Sequence, residues 1–472
     1  MFKYIFLFLT FVVHEDLIWE FEVEDEDDLV LNHPVMEPQR YHKQLGQIEK
    51  VISGASHTRL DHSGYARKVA KATCKVLKKR GRLPSPENDI IQAAALHDSG
   101  HPPFSHAVEY VLKEFDGGKT HHEKGLELLD SDLKDGKGRT IRDVLEILDA
   151  DVDNVRKLLI GSDPKNGNPA SKIITDKTYG ADKLAYTLMD AVRCGFYQLP
   201  PSWKKIVPYL TFFRDDLGFD ISMSFSQLEH QIQMLTSAQD IHFRLYTGLY
   251  LTAQSLAYER HIQKSVEFSK RGGIIIPSDV WSMGDDTLIS HIRDSISKDS
   301  FVEKAKDTLK GYLLKQPYVP AISFKFKQFE IDKFSEEIIV LIEKDFSSVF
   351  LDSFGNPLRL TELEEDLEQK LKIPVLVSVL PDPQKVKPGT VRLYQNGTYK
   401  GTLRDLVPKH YEKLEEEAAR AFAISLLVPQ AERQNTVRRY QEVAELFLEV
   451  SKKYMFRSPG KLFKELQIET KS

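Results

Sequence analysis

His97 and Asp98 are adjacent at the end of an apolar helical run, and His101, His106 and Glu109 follow closely. A neighbouring imidazole and carboxylate can both ligate one divalent cation. His62 upstream and Asp182 downstream complete a set of two histidines and two aspartates. Mixed imidazole and carboxylate donors suit a borderline or hard transition ion such as Mn, Fe, Ni or Zn, with Mg a further candidate. Structural zinc is disfavoured, because Cys74 and Cys194 are the only cysteines and closed zinc sites rely on thiolates at short spacing. Four ligands on an ion that accepts six leave positions for water and substrate, which is the arrangement of a hydrolytic site.

The elements that must position these side chains are helical. Residues 62–80 carry Val69, Ala70, Thr73, Val76 and Leu77 on one stripe, with His62 at the start and Gly81 and Pro84 ending the run. A second helix is expected from Glu87 to Asp98, and Gly100, Pro102 and Pro103 then force a turn. Asp182, Tyr186 and Asp190 recur at i, i+4 and i+8, so a ligand, a ring and a second carboxylate line one helix face. The helical pattern continues through residues 227–268, where Tyr246, Tyr250 and Gln254 share a face at the same spacing. Beyond Gly272-Gly273 the texture changes. Residues 373–380 read as a strand, and the Asn396-Gly397 pair inside TVRLYQNGTYKGTL signals a hairpin with a type I′ turn. Two long charged helices, about 409–427 and 430–452, are expected after it. The fold class is therefore mainly α: an all-helical catalytic lobe over residues 31–274, preceded by an N-terminal segment (1–30) and followed by a smaller mixed α/β lobe (275–472).

Composition narrows the setting. The 472 residues hold 65 basic and 70 acidic side chains, a formal charge of -5, which argues against a surface that coats nucleic acid while leaving room for a local basic pocket. Two widely separated cysteines supply no disulfide framework, and the cytoplasm is the expected compartment. The apolar run from Tyr4 to Val13 is about half the length that spans a bilayer, and His14-Glu15-Asp16 follows it in place of a cleavage site. It reads as a buried strand, an interface segment or a misassigned start, with a signal or membrane anchor as the alternative, and no stable membrane association is expected. Glu22 to Asp28 reads as a solvated acidic loop.

The order H…HD…D resembles that of the HD-domain phosphohydrolases. More narrowly, RYHKQLG with GASHTRLDHS, AALHDSGHPPFSHAVE with THHEKG, and ADKLAYTLMD resemble the deoxynucleoside triphosphate triphosphohydrolases, the group that contains bacterial dGTPases and the SAM-and-HD-domain dNTPases of animals. The resemblance covers roughly residues 40–190 and implies hydrolysis of a dNTP to deoxynucleoside and inorganic triphosphate, by water attack at the α-phosphorus. It implies a metal shell of His62, His97, Asp98 and Asp182. It places His101, His106 and His122 around the α-phosphate, with Glu109 orienting a catalytic histidine; THHE offers His121 as well, but the one beside Glu123 fits the family spacing. Arg59 and Lys183 match phosphate contacts, and Arg244 is the candidate for the γ-phosphate, with His242 competing. Gln44, Leu45, Tyr186, Asp190 and Tyr250 match the sugar site, where a tyrosine against C2′ leaves no room for a 2′-hydroxyl.

The chain departs from the animal enzymes in NHPVMEPQRYHKQLG, which is shortened where those enzymes build an allosteric nucleotide site. Arg40 stands at the position of their guanine-reading arginine, with Asn32 as its nearest sequence partner. No SAM-like domain is expected before the HD region. A homo-oligomer is expected, and a nucleotide or single-stranded DNA effector is compatible with the reading. The competing readings are an HD phosphohydrolase acting on another nucleotide phosphoester and a vestigial HD fold that binds nucleic acid.

Overall fold

The computed structural model describes residues 29–196, 202–326, 337–342, 344–379, 386 and 388–455. The apolar run at 4–13 and the acidic stretch at 22–28 lie outside the described residues. The helices that carry the architecture are α1 (Arg59–Lys79), α2 (Glu87–Leu96), α3 (His106–Phe115), α4 (His121–Leu129), α5 (Ala181–Arg193), α6 (Phe225–Leu245), α7 (Ala253–Arg271), α8 (Asp285–Arg293), α9 (Ser300–Leu313), α10 (Pro357–Leu371), α11 (Pro408–Ala421) and α12 (Tyr440–Tyr454). The strands are β1 (Leu210–Phe213), β2 (Asp216–Asp220), β3 (Tyr318–Lys325), β4 (Ile338–Leu341), β5 (Leu376–Val379), β6 (Arg392–Gln395), β7 (Thr398–Thr402) and β8 (Ile424–Pro429). The protein is mainly α.

Helix α1 starts where Thr58 and Asp61 form a reciprocal capping box, which satisfies backbone donors at its N-terminus. Its stripe of Tyr65, Val69, Ala70, Cys74 and Leu77 is buried in a core shared with Ile90 and Ala94 of α2 and Leu184 and Leu188 of α5. Three helices that each end or begin at a candidate ligand therefore pack on one another, so their core fixes the site.

The expected all-helical lobe contains one exception. Strands β1 and β2 form an antiparallel pair inside residues 31–274, and β2 continues in parallel onto the β6–β7 hairpin, giving the order β1-β2-β6-β7. The hairpin has the expected turn, with Asn396 and Gly397 both at positive φ. The two charged helices expected after it need correction. Residues 424–429 form β8, buried along its whole length, in a second sheet ordered β4-β3-β8-β5. ISLLVP is a strand covered on both faces, so it lacks the alternation that marks a half-buried one. The second helix is also divided, into a short Arg433–Arg438 segment and α12. Helices α10 and α12 cover this sheet through a core that includes Phe324 stacked on Phe447 at 4.4 Å.

The run expected through 227–268 is two helices separated by a π-helical turn at Tyr246–Tyr250 and a break at Leu251, after which Thr252 caps α7. Tyr246, Tyr250 and Gln254 therefore do not share one continuous helix. Helix α7 looks like a surface helix, AYERHIQKSVEFSK, yet nearly every residue from Ser255 to Ser269 is buried. Its charges are paired internally: Glu364 of α10 accepts from Arg260 Nε and Nη2 (3.0 and 2.9 Å), and Lys264 lies 3.4 Å away. Glu364 also accepts the Val377 N–H. Glu364→Ala would leave buried Arg260 without its carboxylate and Lys264 with Glu368 alone at 3.2 Å, and is expected to lower unfolding free energy by about 3–5 kcal/mol. Urea denaturation measures this; a loss below about 1 kcal/mol would mean that water already screens the network.

Candidate functional site

The site forms where α1, the turn after α2, and the start of α5 converge. His62 Nε2 lies 3.0 Å from Asp182 Oδ1, and His97 Nε2 lies 3.6 Å from the same oxygen. His62, His97 and Asp182 each offer a donor atom within 4.8 Å of the others. Asp98 stands at the edge of this grouping: Oδ1 is 3.4 Å from His97 Nε2 and Oδ2 is 3.6 Å from His62 Nε2. Its Oδ2 also accepts from Arg59 Nη1 at 2.6 Å.

The donor set fits a divalent cation. His62 Nδ1 and Nε2 and His97 Nε2 are buried without a hydrogen-bond partner, although carboxylate oxygens lie close by out of line. Buried imidazoles left unsatisfied call for another occupant. His97 Nδ1 faces the Ala94 carbonyl at 2.8 Å, which turns the Nε2 lone pair toward the carboxylates, as a metal-binding histidine requires. Burial disfavours the His97 imidazolium, but Asp98 and Asp182 override it and raise the pKa to about 9. Two carboxylates set against two buried imidazoles favour positive charge in this site.

Next to it lies a second group of His101, His106, Glu109 and His121. Gly100 permits their approach. A Cβ there would stand 2.1 Å from the His121 carbonyl oxygen and 2.4 Å from the Gly125 nitrogen, so only glycine lets the turn meet the start of α4. His101 consequently stacks on His121 at 3.9 Å, with His106 edge-on at 4.9 Å. Glu109 accepts from His106 Nδ1 at 2.8 Å and from His121 Nδ1 at 3.1 Å. Burial opposes its ionisation, but these two histidines hold its carboxyl far below the usual range.

The structure brings His121, not His122, against Glu109. The Thr120–Glu123 capping box makes His121 the first residue of α4 and sends its ring inward. His122, one position on, is exposed with its ring 3.9 Å from that of His121.

The face of α5 spaced by four residues lines one wall, as expected. Asp190 accepts from His57 Nε2 at 2.8 Å and from the Tyr250 hydroxyl. Tyr186 OH meets His242 Nε2 at 2.9 Å. The π-helical turn carries Tyr250 to Asp190, in keeping with the frequent use of such turns at functional sites. Leu45 packs in the same apolar cluster as Tyr250, and Gln44 has a buried Oε1 without a hydrogen-bond partner. Arg59, besides holding Asp98, donates from Nε to Ser105 Oγ at 2.6 Å. Lys183 donates to the Lys177 carbonyl at 2.7 Å, and burial lowers its pKa to about 8.

Arg244 is exposed on α6, while His242 faces Tyr186; two residues are about 200° apart on a helix, so the two side chains leave it in different directions. His57 was not singled out among the candidates, although it lies in the same GASHTRLDHS stretch as Arg59 and His62. Its spacing to Asp190 exists only in three dimensions. Arg40 finds Asn32 Oδ1 at 2.6 Å and Glu37 Oε2 at 3.1 Å.

Comparison with known proteins agrees with this geometry. Residues 59–161 match the HD domain model. An uncharacterised protein of Methanocaldococcus jannaschii is 22% identical over 82% of this chain and 77% of its own length. The deoxynucleoside triphosphate triphosphohydrolase SAMHD1 of Homo sapiens is 27% identical over 46% of this chain, and the match spans 38% of that protein. Among solved structures, a hypothetical protein from Aquifex aeolicus aligns with a TM-score of 0.59 at 18% identity, over 87% of this chain and 94% of its own. A phosphohydrolase from Bacteroides thetaiotaomicron aligns with a TM-score of 0.57 at 17% identity, over 86% and 96%. Residues 59–161, which carry His62, His97 and Asp98, are thus similar to HD domains, and part of the chain is similar to a dNTP triphosphohydrolase.

Proposed function

We propose that the protein hydrolyses deoxynucleoside triphosphates to deoxynucleoside and inorganic triphosphate. The observation that carries this reading is helix α5, which presents Asp182 to the histidine cluster and, two turns on, Asp190 to His57 and Tyr250. One rigid rod thus sets a phosphate-activating group at a fixed distance from a group suited to a sugar hydroxyl. The match to a dNTP triphosphohydrolase over part of the chain supports the same substrate class.

His62, His97, Asp98 and Asp182 would hold the divalent ion, which when bound supplies water activation and charge against the phosphoryl oxygens. Attack at the α-phosphorus breaks its bond to O5′, and the departing oxygen takes a proton. His106 is suited to deliver it: Glu109 holds Nδ1 and leaves Nε2 on the exposed side of the ring. His121 shares the carboxylate and packs against His101, limiting the swing of both rings. Arg59 and Lys183 are the cations adjacent to the ligands, and Tyr250 is placed to crowd C2′ and reject ribose. We place this chemistry within residues 31–274, in a cytoplasmic and self-associating enzyme.

The test is incubation of the protein, with Mn, Co and Mg supplied separately, with each dNTP, their mixture and the rNTPs. Deoxynucleoside plus triphosphate, absent from an Asp98→Ala control, supports the proposal. Release of a monophosphate with pyrophosphate, or cleavage of a different phosphoester alone, overturns it.

A further inference from the structure

We infer that Asp285, on the first turn of α8 and outside residues 31–274, is a positioning residue that holds the His101–His106 turn in its working shape. The inference rests on the reaction proposed above. Asp285 is 5% exposed, and its two carboxylate oxygens serve two distant segments. Oδ1 accepts from the Phe104 N–H at 2.8 Å, and Oδ2 accepts from the Lys43 N–H at 2.9 Å. Two further contacts tighten the same junction: the Asp285 N–H reaches the Tyr41 carbonyl at 3.3 Å, and His42 Nε2 reaches the Met283 carbonyl at 2.6 Å.

Both tethered segments bear on Arg59. Phe104 and Ser105 have φ of 55° and 54°, a left-handed conformation that costs free energy for residues with side chains and persists only where the surroundings impose it. Ser105 Oγ accepts from Arg59 Nε, and Arg59 Nη1 reaches Asp98. On the other side the His42 carbonyl accepts the Arg59 N–H at 2.9 Å, and the Gln44 N–H donates to the His57 carbonyl at 2.9 Å. One carboxylate therefore clamps the strained turn between His101 and His106 to the chain that carries Gln44, with Arg59 braced from both.

Two N–H donors approaching two oxygens demand a group that is acceptor-only at both positions. A carboxylate meets that demand; an amide offers one oxygen and turns an NH2 toward the second donor. Burial raises the Asp285 carboxyl to about 7 against the pull of those donors, with Asp286 raising it further and Arg59 lowering it. The clamp is therefore complete above neutrality.

The test is made at pH 8 on the full-length, Mn-loaded protein, comparing wild type with Asp285→Asn. The expected result is a kcat lower by about 10- to 100-fold, since small misplacements of catalytic groups have effects of that size, with KM within about threefold. Bound Mn per chain stays unchanged, and amide hydrogen exchange at Phe104 or Lys43 accelerates. Unchanged exchange at both amides overturns the clamp. Faster exchange with unchanged kcat overturns its link to catalysis and leaves Asp285 a structural cap. Should Asp285→Asn fail to fold, Asp285→Glu, which keeps both acceptors on a longer arm, takes the same measurements. A wild-type protein that leaves every dNTP intact defeats the proposed reaction and with it the catalytic part of this inference, while exchange still judges the clamp.

Discussion

Asp182→Ala is expected to empty the proposed metal site and to lower the proposed dNTP turnover by at least about 10³-fold, the equivalent of several kcal/mol of transition-state stabilisation. Asp182 is the carboxylate that meets both His62 Nε2 and His97 Nε2, at 3.0 and 3.6 Å. Asp98 cannot replace it, because it is already one of the four proposed ligands and its Oδ2 is engaged by Arg59 at 2.6 Å. Without Asp182, the His62 and His97 rings, 5.3 Å apart, keep one shared carboxylate that is partly neutralised. Helix α5 should survive, since its N-terminal contacts are made by Ala181 and Leu184, which are buried. Metal content after dialysis and triphosphate release measure the two effects. A variant that retains both its metal and its turnover would place the ion elsewhere.

The second large effect is expected from Glu109→Gln. The carboxylate is 1% exposed, and accepts from both His106 Nδ1 and His121 Nδ1. A glutamine can accept with one atom only, so one ring loses its anchor and the negative charge beside both rings disappears. General acid–base catalysis contributes about 10²- to 10⁴-fold, and a loss in that range is expected in kcat, with metal content unchanged. The same geometry ranks the paired histidines of THHE. His121→Ala should reduce turnover more than His122→Ala, because His121 is the one bound to Glu109 and stacked on His101. Steady-state kinetics of the two variants decide it; the reverse order would mean that substrate binding turns α4 and exchanges their places.

Much of this site was legible in the chain. The H…HD…D order, the four-residue spacing along α5 and the punctuation by Gly100, Pro102 and Pro103 are local signals, since helical periodicity and turn chemistry act over a few residues. The hairpin at Asn396-Gly397 was legible for the same reason, its two positive φ values being those that the pair tolerates. Helix α7 was legible as a helix and misleading as a surface, because its charges find partners on α10, about a hundred residues away in sequence. Strand β8 was read as helix because it is buried on both faces and displays no period of two.

What the sequence by itself determined is the donor chemistry and the helices that carry it. Residue types set which atoms can ligate, accept or donate, and short-range periodicity sets which of them share a face. Only the tertiary structure decided which donors meet. It chose His121 over His122 through a capping box at the start of α4, and His242 over Arg244 through the rotation of α6 against α5. It added His57 to Asp190, and Asp285 to the turn between His101 and His106. The Thr120–Glu123 capping box is a local signal, but the contacts themselves join residues 12 to 181 positions apart and are fixed by how buried helices pack, which no local pattern encodes.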